Sequence, residues 1–235
     1  MQKVVIIVAG GKGKRMRTDL PKQFLLLDGI PVIMRTITNF HQFDPGIRIL
    51  VVLPEDHLEY WEKLKRKFDF NISHEVTSGG NTRFHSVKNG LSLLDNPPEE
   101  CIVGIHDAVR PLTSSDLLNR CYNGAAEMGN AIPAIEINES IRKIDDTKNY
   151  PLSRNSIRVI QTPQVFNLYQ LKGAYDISYR ETFTDDASVA EYSGYPVHLV
   201  EGDHYNLKIT HPFDLLVAET LLKTPERNIP TIPEV

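Results

Sequence analysis

The string Ala9-Gly10-Gly11-Lys12-Gly13-Lys14-Arg15-Met16 follows directly on the apolar run Val4–Val8. Its three glycines let the backbone reach positive φ and bring N–H groups close to a ligand. Lys12, Lys14, Arg15, Arg17 and Lys22 fall within eleven residues that hold a single acid, Asp19. Excess cations beside exposed amides at the end of a buried strand suit a polyphosphate. A solvated basic loop would share this charge, but glycines placed immediately behind a buried strand favour phosphate. Two well-known phosphate loops are excluded. No GxxxxGK[ST] string occurs, and a GxGxxG reading that starts at Gly11 fails at Met16. A nicotinamide oxidoreductase is therefore disfavoured.

A second turn, Gly79-Gly80-Asn81-Thr82-Arg83-Phe84-His85-Ser86-Val87, offers Thr82 as an N-cap for a helix whose first turn faces a ligand. His106-Asp107-Ala108-Val109-Arg110-Pro111 closes another apolar run. An aspartate at the carboxyl end of a central parallel strand stands where open sheets bind ligands. One carboxylate beside phosphates is the usual minimum for Mg2+, which keeps several waters. The competing reading, Asp107 as a helix cap, is weakened by Pro111. Arg154-Asn155, Gln161-Thr162-Pro163-Gln164, Thr184-Asp185-Asp186-Ala187-Ser188 and Tyr205-Asn206-Leu207-Lys208-Ile209-Thr210 follow, each weak alone. The eight histidines form no HExxH or Cys/His cluster, which speaks against zinc, and there is no GxSxG elbow.

These residues need a scaffold, and the apolar pattern supplies one. Val4–Val8, Ile47–Leu53, Ile72–Thr77, Cys101–His106 and Ala131–Ile137 are short, largely β-branched, continuous runs, as parallel strands covered on both faces require. Helical stripes lie between them: Leu58, Trp61, Leu64 and Phe68; Phe84, Val87, Leu91 and Leu94; Leu117, Leu118, Cys121, Tyr122 and Ala125. Alternation of this kind predicts an α/β fold with a doubly wound, mostly parallel sheet. Beyond them, Gln161–Phe166 and Val197–Glu201 read as strands, with helices from Leu168 to about Tyr179 and after Pro212. Residues 1–223 are read as one domain, and 224–235, with Pro225, Pro230 and Pro233, as a loose tail.

The pattern breaks over about 138–159. Polar segments Ser140–Asp146 and Tyr150–Arg158 flank a turn around Asp145-Asp146-Thr147-Lys148-Asn149. Two strands have too little core to stand alone. The residues leave two readings open: a surface hairpin, or a β-arm that packs on a second subunit.

Composition bounds the rest. The chain has 235 residues, 41% hydrophobic and 24% charged, within the ordinary globular range. With 26 basic against 30 acidic residues it lacks the basic excess of a nucleic-acid binder. No apolar run near the N-terminus approaches a membrane span or a signal h-region, so a cytoplasmic protein with no membrane partner is expected. Cys101 and Cys121 read as two buried reduced thiols.

Taken in order along residues 9–210, these seven elements resemble the sugar-phosphate nucleotidyltransferases, and within them the methylerythritol phosphate cytidylyltransferases of the non-mevalonate isoprenoid pathway. The resemblance implies transfer of CMP from CTP to methylerythritol 4-phosphate, release of pyrophosphate, and Mg2+ as cofactor. It implies a nucleotide site at Ala9, Gly10, Gly11, Gly13, Gly80, Asn81 and Ser86, with Arg83 holding the loop. Arg15 and Lys22 would stabilise the transition state at the α-phosphate. Asp107 would bind the metal and contact the sugar phosphate, and Arg110 would anchor its loop. Ser140, Arg154 and Lys208 would serve the acceptor phosphate, with the arm reaching a neighbouring subunit's site in a homodimer. Three positions depart from the family pattern: Asn81, where an acid is frequent, Ser140, where Thr is common though either hydroxyl can donate to phosphate, and Tyr205, where some members carry an aspartate ligand. Asp203 lies nearby, with doubtful equivalence. A ribitol 5-phosphate cytidylyltransferase and a non-catalytic nucleotide binder on the same fold are the alternatives.

Overall fold

Alternate residues of strand β1 (Gln2–Val8) enter two different cores. The computed structural model describes residues 1–10, 20–95, 98 and 100–224. After β1 come a short hairpin, β2 (Leu26–Leu27) and β3 (Ile30–Pro31), helix α1 (Val32–Phe43), β4 (Arg48–Leu53), α2 (Leu58–Lys67) and β5 (Glu75–Ser78). The chain continues through α3 (Arg83–Ser92), β6 (Cys101–Asp107), α4 (Ser115–Met128) and β7 (Asn130–Glu136). A hairpin of β8 (Ile141–Asp145) and β9 (Lys148–Leu152) precedes β10 (Arg158–Ile160), β11 (Gln164–Asn167), α5 (Leu168–Ala174), α6 (Asp186–Tyr192), β12 (Leu199–Glu201) and α7 (Pro212–Lys223).

The main sheet runs β10-β7-β11-β6-β1-β4-β5, with β12 also paired to β7. β1, β4, β5 and β6 are mutually parallel, whereas β11 runs antiparallel between β6 and β7. Val5 and Ile7 face a core built with α1, α2 and α4. Val4, Ile6 and Val8 face one built with α3, α5 and α6. Burial on both sides is why these strands are continuous rather than alternating, each large aliphatic contributing about 1.5–3 kcal/mol. Helix α4 shows how local sequence sets an element: Ser114 caps its first turn, and Gly129 at φ 88° ends it in the left-handed conformation that glycine accepts.

The doubly wound, mostly parallel sheet is as expected, and Cys101 and Cys121 are buried free thiols. Several boundaries differ from the sequence reading, among them the start of β11 at Gln164 rather than Gln161. β5 begins at Glu75 rather than Ile72, because the Ile72 carbonyl faces His74 Nδ1 at 2.7 Å instead of a neighbouring strand. α5 stops at Ala174 rather than near Tyr179, where Tyr175 turns its hydroxyl inward onto Asp186. The second arm strand ends at Leu152, and Arg158–Ile160 returns to the main sheet against β7. Helix α1 was not anticipated at all. The anticipated tail lies almost wholly outside the described residues. Among the described residues no helix is long and apolar enough to cross a membrane.

Sheet and helix approach closely at Gly104. A Cβ there would stand 2.8 Å from Tyr122 Oη, which already donates to the Val4 carbonyl at 2.7 Å. Gly104→Ala is expected to cost about 1–3 kcal/mol, the usual penalty for overpacking a rigid core. Chemical denaturation gives the value directly, and an unchanged midpoint would refute it.

Candidate active site

The carboxyl ends of β1 and β6 and the start of α3 enclose a cleft of about 440 Å³. Ala9, Gly10, Lys22, Gly80, Asn81, Arg83, Ser86, Asp107 and Lys208 all line it. Nine of the residues singled out in the sequence, drawn from five separate segments, thus meet in one place. Gly11, Gly13 and Arg15 lie outside the described residues.

Each wall has a local cause. Asp107 ends β6, one residue after the fully buried His106. Gln23, buried within the turn 22–24, donates from Nε2 to the Ala9 carbonyl at 2.8 Å, and so ties the start of the glycine turn to the wall that carries Lys22. At the second turn, Thr82 caps α3 by accepting from the His85 N–H at 3.4 Å. The Gly80 N–H donates to Ser86 Oγ at 3.2 Å. A Cβ on Gly79 would lie 2.8 Å from that same Oγ, and one on Gly80 would collide with His85. The double glycine is the condition for folding this turn onto the helix it precedes.

The charges on the floor are paired. Lys208 Nζ stands 3.0 Å and Arg110 Nε 3.1 Å from Asp107 Oδ2. Burial pushes the Asp107 carboxyl up, but Lys208, Arg110 and Arg83 together outweigh it and hold the group well below the usual carboxylate range. Arg110 also donates from Nη1 to the Asn206 carbonyl at 2.7 Å, which anchors its loop. Arg83 forks onto the buried Asp186 with contacts of 2.9 and 2.6 Å, and Tyr175 donates to the same carboxylate at 2.7 Å. Burial would lower the Arg83 guanidinium, but Asp186 holds it above its ordinary range.

Sequence reasoning gave no role to Gln23 or Asp186 and no partner to His106. Asp186 carried a signal as part of Thr184-Asp185-Asp186-Ala187-Ser188, and His106 as the first residue of His106-Asp107-Ala108-Val109-Arg110-Pro111; the partner of Asp186 lies 103 residues away. Ser140 and Arg154 do not line the cleft. They sit on the hairpin side of the chain, where Arg154 Nη1 contacts the Asn138 carbonyl. Asp203 accepts from Ser114 Oγ at 2.9 Å and from the Tyr205 N–H at 2.8 Å, so it braces a turn rather than the cleft. Among the described residues no group of three or more His, Cys, Asp or Glu side chains could hold a metal. Among the described residues that line the cleft, Asp107 alone offers a hard carboxylate, which suits an ion that takes one or two carboxylates and shares the substrate's phosphates.

Burial pushes His106 down to about 3, so its imidazole is neutral in the fold. An unfolded chain takes up this proton near pH 6.5, and stability therefore falls as pH drops from about 6.5 towards 3, at about 1.4 kcal/mol per unit. His106→Asn should flatten that loss when denaturant midpoints are compared at about pH 7 and pH 5. An equal loss in the variant would contradict it.

The chain was compared with known proteins. Residues 3–224 match the family model described as IspD: 2-C-methyl-D-erythritol 4-phosphate cytidylyltransferase. A protein of that name from Bacteroides fragilis is 47% identical over 94% of this chain and 100% of its own length. One from Geobacillus kaustophilus is 38% identical over 92% and 95%. Among solved structures, that of the Francisella tularensis 2-C-methyl-D-erythritol 4-phosphate cytidylyltransferase superposes with a TM-score of 0.77 at 31% identity, covering 94% of this chain and 99% of that one. On the family match and on these similarities across nearly its whole length, the chain belongs to the 2-C-methyl-D-erythritol 4-phosphate cytidylyltransferase family.

Proposed function

We propose that the protein transfers the cytidylyl group of CTP to 2-C-methyl-D-erythritol 4-phosphate and releases pyrophosphate. The observation that carries this reading is the meeting of Asp107, Lys208 and Lys22 with the Ala9–Gly10 and Gly80–Ser86 turns in one cleft. A phosphomonoester is already an anionic nucleophile and needs no strong base. The barrier is the approach of one anion to the α-phosphorus of another.

Gly80, Asn81 and Ser86 hold the nucleoside, and Arg83, fixed by Asp186, supports that turn. The glycine turn wraps the triphosphate, with Gly10, Gly11 and Gly13 offering amides. Arg15 and Lys22 stabilise charge on the transferring phosphoryl group. Lys208 aligns the acceptor phosphate against the α-phosphate. Asp107 would hold Mg2+, which would neutralise phosphate charge when bound. Its pairing with Lys208 and Arg110 keeps it ionised for that purpose.

A panel of nucleotides and sugar phosphates with pyrophosphate detection tests the reading. CTP with methylerythritol 4-phosphate should give the highest kcat/KM. A preference for ribitol 5-phosphate, or no release with any acceptor, would defeat it.

The hairpin β8–β9 forms its own two-stranded sheet and exposes Ile144, Tyr150 and Leu152, with Ile144 81% exposed. Such a hairpin is marginal alone. We read it as the homodimer arm that brings Ser140 and Arg154 to the cleft of a second copy, in a cytoplasmic enzyme. Sedimentation at micromolar concentration should show a dimer, and Ile144→Glu should shift it towards monomer. Monomer alone in the wild type would exclude the shared site.

A further inference from the structure

β11 pairs with β6 so that Gln164 faces Ile105 and Phe166 faces Val103, and the same register extended beyond the ladder sets Thr162 against Asp107. The Asp107 N–H donates to Thr162 Oγ1 at 3.1 Å, and that oxygen lies 3.1 Å from His106 Nδ1. Across the imidazole, Nε2 is 3.3 Å from Thr113 Oγ1, which donates to Asn206 Oδ1 at 2.9 Å. Asn206 Nδ2 then donates to the Thr162 carbonyl at 2.8 Å. The circuit closes on the residue where it began, and none of its four side chains belongs to a residue more than 5% exposed.

Hydrogen counting gives the circuit a direction. A threonine hydroxyl has one hydrogen. Thr113 spends its own on Asn206 Oδ1, so it accepts from His106, and Nε2 must carry a hydrogen. Nδ1 is then the acceptor for the Thr162 hydroxyl, whose oxygen remains open to the Asp107 N–H. The Arg110 carbonyl, 3.0 Å from Thr113 Oγ1 and 3.4 Å from Nε2, leaves the requirement at Nε2 unchanged.

Asn206 reaches both members of the floor pair. Its carbonyl accepts from Arg110, the neighbour of Asp107, and Lys208 stands two residues further along. The chain is pinned again just past Lys208, where the Ile209 N–H donates to the Val109 carbonyl at 2.9 Å. We propose that Asn206 is a positioning residue: by closing this circuit it sets where the Asp107 carboxylate and the Lys208 ammonium stand, and so acts on the transfer step without touching substrate. The kinetic side of this inference rests on the transferase reading above.

Asn206→Asp puts an oxygen where Nδ2 donated to Thr162. It should lower kcat about a hundred-fold, the usual cost of misplacing reacting groups by about an ångström, with KM for CTP changed little. Thr113→Val keeps the side-chain shape, removes only the hydroxyl, and should lower kcat about ten-fold through the unpaired Asn206 Oδ1. Nitrogen-15 spectra of His106 supply a readout that packing alone would not move. The wild type should show a hydrogen on Nε2 and a bare Nδ1, and Thr113→Val should lose that single-tautomer pattern. A hydrogen on Nδ1 in the wild type, or rates in both variants that fall only with the folded fraction, would overturn the proposal. Should the wild type release no pyrophosphate from CTP and methylerythritol 4-phosphate, the transferase reading fails, and the nitrogen spectra alone decide whether the circuit exists.

Discussion

Lys22→Ala is expected to lower kcat by about a hundred-fold to a thousand-fold, the loss of roughly 3–4 kcal/mol that follows removal of one preorganised donor from a transition state. Lys22 lines the cleft but belongs to a residue only 8% exposed, so its ammonium acts where water screens it poorly. The turn it sits on is anchored by its neighbours: Phe24 is buried in the core, and Gln23 is tied to Ala9. Thermal stability should therefore barely move while turnover collapses. Single-turnover rates with pyrophosphate detection, set beside a melting curve, separate the two effects. Near-normal turnover in a folded variant would remove Lys22 from the chemistry.

Asp107→Asn should be more damaging, because it affects turnover and folding together. The carboxylate is the shared counter-charge for Lys208 and Arg110, and Arg83 lies close enough to stabilise it further. The amide keeps the shape but leaves the buried Arg110 facing a neutral group. The folding cost is set at about 3 kcal/mol, the low end for a broken buried pair, because Lys208 remains partly in water and its share is screened. The rate should fall about a thousand-fold, since the group that would hold Mg2+ is lost with the alignment of Lys208. Denaturant titration and pyrophosphate release measured on the same preparation check both. A variant as stable and as fast as the wild type would refute the assigned role.

The pH dependence of this pair has a definite sign. The folded Asp107 is more acidic than the unfolded one, whose ordinary value is 3.8. Its contribution to stability is fully present above that value and is lost only as pH falls further. Of Asp107 and His106 it is therefore His106 that loses stability between about pH 6.5 and 4, and His74, whose imidazole is also lowered by burial, adds to that loss.

Much of the scaffold was legible because parallel strands buried on both faces need unbroken apolar runs. β1, β4 and β6 accordingly fall within two residues of the segments read from the sequence, as does β7, which runs antiparallel to β10 and β11. Boundaries failed where a polar group took over a backbone partner. Gln161 and Thr162 look like the start of a strand. Yet β11 begins only at Gln164, because Thr162 gives its carbonyl to Asn206 and its hydroxyl oxygen to Asp107. The cleft was legible as separate turns, since glycines, caps and a strand-terminal aspartate each have a local reason to stand where they do.

By itself the sequence determined the α/β layering, the two glycine turns, the strand-end position of Asp107 and the identity of the charges. Those features depend on periodicity and on neighbours a few residues away. Only the tertiary structure decided that Arg83 is held by Asp186, that Lys208 lies on Asp107, and that His106 is enclosed between Thr162 and Thr113. Most of these partners stand far apart in the chain, and the register of β11 on β6 and the return of the loop 203–210 over that strand end bring them together. Hydrogen bonds and ion pairs act over about 3 Å, and a linear chain carries no record of that distance until its strands are paired.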